Sequence, residues 1–230
     1  MKDLKLKILR ELIADGLLQI SNKADKSDWF VLKNGDKTPI FFTTHRLNSY
    51  PKTMKKIVNY TIALMEENNI AFDSIAGASY GGILYAMWVS YKLNKPCLCI
   101  RKEGKKDYDD KGEILGITNI GDKCILFEDA TVSGGSSWSF VKILEKYGVE
   151  VPCIITLLDA EFGVKEMFAE KGIKLYNLFT WREMCDEYIK NNDVGEFVHD
   201  YIRMFDKKLV EMNIVTQQII LQTSMQLFKK

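Results

Sequence analysis

Short continuous apolar runs and longer segments of helical spacing alternate through the middle of this chain. Residues 74–78, 97–101, 124–127, 153–158 and 175–178 are the runs, and each predicts a strand buried on both faces. Residues 82–93, 136–147 and 164–171 lie between or after them, with apolar positions three and four apart, and predict helices. Upstream, residues 4–18 predict a helix whose apolar face is Leu4, Ile8, Leu9, Leu12 and Ile13. Residues 53–68 predict another, with Met54, Ile57, Val58, Ile62 and Met65 facing inward. Residues 29–32 and 39–43 read as two short strands around Asn34-Gly35, a hairpin signal. Strand and helix in alternation predict an α/β fold, with a central parallel sheet flanked by helices. Ligands of such sheets lie at the carboxyl ends of the strands.

Two segments break the alternation. Residues 102–121 are polar, charged and aperiodic, and a loop of that length inside a compact domain is expected to be functional or disordered. Residues 196–230 form a helical extension, with Phe197, Tyr201, Met204, Phe205 and Leu209 on one face. The division expected is a main domain over 1–195, with a small hood over about 1–50, followed by the extension.

Composition narrows the class. At 230 residues and 47% apolar content the chain holds enough material for a full core. A net charge of +1 points to neither nucleic acid nor an anionic membrane as partner. The first residues are charged and amphipathic, unlike a signal peptide, and no apolar stretch reaches membrane-spanning length. Five cysteines, mostly in strand-like runs, read as reduced core residues of a cytoplasmic protein.

The chemistry concentrates between Cys124 and Ser136. An apolar strand leads into Glu128-Asp129, then Ala130-Thr131-Val132-Ser133-Gly134-Gly135-Ser136, then a helix. Small residues leave backbone N–H groups free to turn toward one anion at a helix N-terminus. Two carboxylates in front of that cradle do not suit phosphate, but they suit hydroxyl groups facing the same ligand. The pair therefore points to a sugar phosphate. A plain βα turn carrying two acids by chance has the same letters. Ala78-Ser79-Tyr80-Gly81-Gly82 is a second strand-to-helix junction bare enough for close approach of a pyrophosphate. Arg101, Lys102, Lys105 and Lys106 cluster cations beyond a third strand, where they would neutralise a polyanion. His45 and His199 have no supporting partners in the sequence.

The run from Cys124 to Ser136 resembles the signature of the type I phosphoribosyltransferases, which bind phosphoribosyl pyrophosphate (PRPP). Other motifs extend the resemblance over residues 29–179 in the same order, and they stand closest to the orotate phosphoribosyltransferases. Phe30 to Phe42 is similar to the family's hairpin, Ile75 to Ile83 to its pyrophosphate loop, Arg101 to Tyr108 to its mobile basic loop, and Leu157 to Gly163 to its next strand end. The resemblance implies the type I fold with an N-terminal hood, and transfer of ribose 5-phosphate to a nitrogenous base with release of pyrophosphate. Orotate, giving orotidine 5'-monophosphate in pyrimidine biosynthesis, is the base it implies. Glu128, Asp129, Lys105 and Arg101 then serve catalysis. Ala130 to Ser136, Ser79, Tyr80, Gly81, Lys102 and Lys106 bind PRPP. Lys33, Phe41, Phe42, Val132 and Ala160 meet the base. Mg²⁺ is implied as cofactor, held mainly through PRPP rather than by protein ligands. A homodimer sharing the basic loop across subunits is implied too.

Three positions depart from the family. Many relatives carry lysine where Gly81 stands. Orotate enzymes usually carry threonine at the place of Val132 and arginine at that of Ala160, where it meets the orotate carboxylate. Arg46, Lys33 and Lys37 are the cations nearby in sequence. A phosphoribosyltransferase for another base, or a non-catalytic PRPP or nucleotide sensor, remain as alternatives.

Overall fold

The structure, a computed structural model, describes residues 1–21, 23–31, 35, 37–101 and 112–227, with side chains described to residue 211. Helix α1 (Lys2–Ala14) ends earlier than its apolar period predicts. Asp15 caps it and Gly16 follows at φ +68°, while the N–H groups of Gly16 and Leu17 return to the carbonyls of Ile13 and Leu12. This is a Schellman ending. It frees Leu17 from the helix and lets Leu18 open strand β1 (Leu18–Ile20), both of which the helix expected over 4–18 had absorbed.

The expected hairpin is also redistributed. Strand β2 (Phe30–Val31) pairs antiparallel with β3 (Lys37–Thr38), while β4 (Ile40–Phe42) pairs antiparallel with β1, Ile20 opposite Ile40. Pro39 lies between β3 and β4, where its missing N–H costs no ladder bond. A 3₁₀ turn (Thr44–Ser49) then carries the chain into α2 (Pro51–Glu67), which starts on proline at its first position.

The central sheet follows. It contains β5 (Ser74–Ala78), β6 (Cys97–Ile100), β7 (Ile114–Leu115), β8 (Cys124–Thr131), β9 (Cys153–Asp159) and β10 (Lys174–Thr180), in the order β10-β9-β8-β5-β6-β7. All neighbours are parallel except β6 and β7. The sheet is therefore parallel with one antiparallel edge, and that edge lies in the segment expected to have no regular structure. The helices are α3 (Ser79–Leu93), α4 (Gly135–Lys146), α5 (Val164–Ala169), α6 (Trp181–Asn191) and α7 (Glu196–Leu227). The run at 175–178 did not signal α6, whose start is marked by a full capping box between Thr180 and Glu183.

Residues alternate between the two sheet faces, as a pleated strand requires. Ile125 and Phe127 face a core shared with α1, α2, α3 and α6, while Cys124 and Leu126 face a second core under α4 and α5. Val198 and Ile202 of α7 belong to the first core. Further along α7, Phe205 stacks on Trp181 at 3.9 Å between ring centroids and meets Phe162 edge-on at 4.9 Å. Trp29, ahead of the hood hairpin, lies against Phe197 and Tyr201. The extension is thus packed on both the hood and the loop after β9. Cys124, Cys153 and Cys185 are buried, and burial pushes the thiols of Cys124 and Cys153 up to about 12.

Candidate functional site

The residues singled out by sequence converge on the carboxyl ends of β5 and β8, which are neighbours in the sheet. Strand β8 runs on through Thr131, so Glu128 and Asp129 belong to it rather than to the loop. The pleat then turns their side chains to opposite faces. Glu128, 3% exposed, accepts a hydrogen bond from Ser137 Oγ in the first turn of α4 at 2.8 Å. Asp129 is half-buried on the other face, where its Oδ2 accepts from Thr44 Oγ1 at 2.6 Å and its Oδ1 from the N–H of Ala130 at 3.0 Å.

Both helices that begin here lack a side-chain cap. Gly134 is the N-cap of α4, with φ +73°, and Ala78 is that of α3. An uncapped first turn leaves N–H groups without partners and puts the positive end of the helix dipole at the site. The contrast with α6 is direct, because there Thr180 and Glu183 close the terminus themselves. Val132, Ser133, Gly135 and Ser136 are exposed around the α4 terminus, and Thr131 is buried beneath it. Ser79 and Tyr80 are exposed at the α3 terminus. Ser79 holds φ +54°, a conformation that non-glycine residues adopt at a cost of about 1–3 kcal/mol and that clusters at ligand sites.

Two glycines stand at close approaches. A Cβ on Gly82 would lie 2.6 Å from the carbonyl oxygen of Phe127, so bare backbone lets α3 sit on β8. A Cβ on Gly81 would lie 2.1 Å from Asp129 Oδ2. The carboxylate therefore occupies the space where a side chain at 81 would begin.

The side of the site assigned to the base is built from β9 and the hood. Ala160 is 6% exposed and its N–H donates to the Thr131 carbonyl at 2.9 Å. Asp159, buried beside it, accepts from the N–H of Glu161 at 2.9 Å and lies 3.9 Å from Lys165 Nζ. Burial raises the Asp159 carboxyl above its usual range, against the pull of that N–H and of Lys165. In the hood, Phe42 packs on the first core, whereas Phe41 stacks on Phe30 at 5.4 Å. The adjacent pair thus splits between core and hood face. Arg46 is exposed on the 3₁₀ turn that brings Thr44 to Asp129, and Arg101 is exposed at the end of β6. Lys33, Lys102, Lys105 and Lys106 lie outside the described residues.

Among the described residues, no group of three or more His, Cys, Asp or Glu side chains is placed to hold a metal. The two carboxylates at the end of β8 are hard oxygen donors. With their side chains on opposite faces, only the half-buried Asp129 is placed to meet a Mg²⁺, which would keep its other ligands from a polyphosphate, ribose hydroxyls and water.

Thr44 and Ser137 are site residues that sequence reading missed. Thr44 lies 85 positions from the acid it touches, and no local pattern announces such a contact. An exposed apolar stripe on α3, comprising Tyr80, Leu84, Met87, Trp88 and Tyr91, was also missed. Helical spacing is present there, but the opposite face is equally apolar, so the periodicity gives no contrast.

No family model matches the chain. It is 34% identical over 167 residues to the orotate phosphoribosyltransferase of Pyrococcus horikoshii, a match covering 73% of this chain and 89% of that protein. It is 33% identical over 151 residues to the uridine 5'-monophosphate synthase of Bos taurus, covering 66% of this chain and 31% of that protein, so it spans about a third of this longer relative. Among solved structures, the orotate phosphoribosyltransferase of Aeropyrum pernix superposes with a TM-score of 0.68 at 18% identity, over 80% of this chain and 99% of that one. The Mycobacterium tuberculosis orotate phosphoribosyltransferase in complex with PRPP superposes with a TM-score of 0.61 at 16% identity, over 79% and 98%. The fold is shared with both structures.

Proposed function

Because the chain belongs to the orotate phosphoribosyltransferase family, we propose that it transfers ribose 5-phosphate from PRPP to orotate, forming orotidine 5'-monophosphate and pyrophosphate. It is a pentosyltransferase of pyrimidine biosynthesis. The observation that carries the reading is the pair of uncapped helix N-termini at the ends of adjacent strands, with Asp129 between them. PRPP is a ribose with an anion at each end, and the site offers hydroxyl acceptors flanked by two anion cradles.

The residues divide the work accordingly. The N–H groups at the start of α4, with Ser133 and Ser136, hold the 5-phosphate. Ser79, Tyr80 and Gly81 at the start of α3 face the pyrophosphate. Asp129 accepts from a ribose hydroxyl and offsets the positive charge that builds on the ribose as pyrophosphate leaves. Glu128 is turned to the opposite face and buried, so of the two acids expected to meet one ligand it instead ties the end of β8 to the start of α4 through Ser137. Mg²⁺, when bound, would be held mainly through PRPP, with Asp129 the nearest protein carboxylate, and would supply neutralisation of the charge on the leaving pyrophosphate. Arg101 adds a cation on the pyrophosphate side. The sequence resemblance assigns Lys102, Lys105 and Lys106 to that side as well, and Lys33 to the base. The protein supplies little acid–base chemistry, so orientation and electrostatics provide the rate.

We further propose a homodimer in the cytoplasm. The α3 stripe supports the dimer, since Tyr80 and Tyr91 are each 87% exposed on a face that begins at the pyrophosphate cradle. Among the described residues no helix is long and apolar enough to cross a membrane.

The reaction is tested by following orotate consumption and pyrophosphate release with PRPP and Mg²⁺, with uracil and adenine as comparison bases. Stoichiometric conversion of orotate is the expected result. PRPP binding with no turnover of any base would replace this reading with that of a sensor.

A further inference from the structure

We propose that Thr44 is a positioning residue for the ribose acid Asp129, and that Gly81 is bare so that this acid can be held where Thr44 places it. The inference rests on the assignment of Asp129 to the PRPP ribose. Thr44 belongs to the hood, in the 3₁₀ turn after β4, and its hydroxyl donates to Asp129 Oδ2 at 2.6 Å. The other carboxylate oxygen accepts from the N–H of Ala130 at 3.0 Å. Each oxygen of an ionised carboxylate has two acceptor positions, so one donor on each fixes the group and leaves acceptor capacity on both for ribose hydroxyls. On its third side the carboxylate rests against backbone. The 2.1 Å approach of a Gly81 Cβ to Oδ2 means that a side chain at 81 would require this carboxylate to shift from the position it takes here.

This arrangement accounts for the departure at Gly81. A lysine there would bring a cation to the pyrophosphate end, but its Cβ would push Asp129 off Thr44. In this chain the space at 81 is taken by the carboxylate that Thr44 holds. The lock also links two separate parts of the fold, because Thr44 lies beyond the hood strand β4 and Asp129 lies in the central strand β8.

The test is calorimetric titration of PRPP with Mg²⁺ into the full-length protein and into Thr44→Val, Thr44→Ser, Gly81→Ala, Asp129→Ala and the Thr44→Val/Asp129→Ala double variant. A hydrogen bond to a charged group is worth about 1.5–3 kcal/mol, so Thr44→Val should weaken PRPP about tenfold or more. Thr44→Ser, which keeps the hydroxyl, should stay within about twofold. Gly81→Ala should weaken PRPP like Thr44→Val, since it displaces the same carboxylate from the other side. The Thr44→Val effect should vanish in the Asp129→Ala background, because it acts through that acid. A purely structural threonine would weaken binding equally in both backgrounds, and that result would overturn the proposal. So would normal affinity in Thr44→Val and Gly81→Ala while Asp129→Ala binds poorly. Normal affinity in Asp129→Ala would overturn the ribose assignment itself, and this inference with it.

Discussion

The N–H of Ala160 donates to the carbonyl oxygen of Thr131 at 2.9 Å, fastening the loop after β9 to the end of β8. The residue assigned to the base and the cradle assigned to the phosphate are thereby held one backbone hydrogen bond apart. The resemblance puts the family's orotate-contacting arginine at position 160, where alanine supplies no charge. Ala160→Arg is expected to lower the KM for orotate about tenfold or more, the value of one charge-assisted bond. PRPP affinity should stay within about twofold. Steady-state kinetics with each substrate varied checks this. Efficient orotate turnover by the unaltered protein that is lost in Arg46→Ala would show instead that Arg46 supplies the missing cation.

Asp159, the last residue of β9, gives a pH dependence of defined sign. Burial raises its folded-state pKa above the unfolded value, so the folded protein takes up the proton more readily than the unfolded chain does. Its contribution to stability is present below the unfolded pKa and is lost as pH rises through the folded one. Asp159→Asn keeps an acceptor for the Glu161 N–H and removes the buried charge. Urea denaturation should find the variant more stable than the parent at pH 7, with the gain shrinking toward pH 3. An equal difference at both pH values would contradict the assignment.

The α7 helix is expected to contribute to the stability of the main body rather than to hang from it. Ile202 is buried in the first core, and truncating such a side chain to alanine costs about 2–5 kcal/mol. Ile202→Ala should therefore lower the denaturation midpoint of the whole protein in a single transition. An unchanged midpoint would mean that the helix is energetically separate.

The α3 stripe supplies the expectation for assembly. Met87→Glu places a charge in the middle of an exposed apolar face and should convert a dimer to a monomer in sedimentation equilibrium. A monomeric parent protein at tens of micromolar, or a Met87→Glu variant that still dimerises, would place any interface elsewhere.

The central strands were legible because fully apolar runs such as Cys124 to Phe127 have no amphipathic alternative. The uncapped start of α4 was legible for a related reason: Ser133-Gly134-Gly135-Ser136 has little side chain to bury, so its backbone is what it offers. The end of β8 was not legible, because Glu128 and Asp129 look like loop residues until their strand partners are known. Leu17 and Leu18 kept the period of α1, and only the left-handed Gly16 separates them from it. The short edge strand β7 and the Thr44 contact depend on pairing partners far along the chain, which local periodicity does not encode.

The central claim is that the cradle at the start of α4, together with Asp129, binds PRPP. Its most direct measurement is calorimetric titration of PRPP with Mg²⁺ into the parent protein, Asp129→Asn and Gly134→Val. Gly134 holds φ +73°, and a Cβ there would lie 3.0 Å from Val164 Cγ1, so valine deforms the turn that aims the N–H groups. Saturable binding by the parent, weakened strongly in both variants while circular dichroism shows the fold intact, is the expected result. Unchanged affinity in both variants would contradict the account.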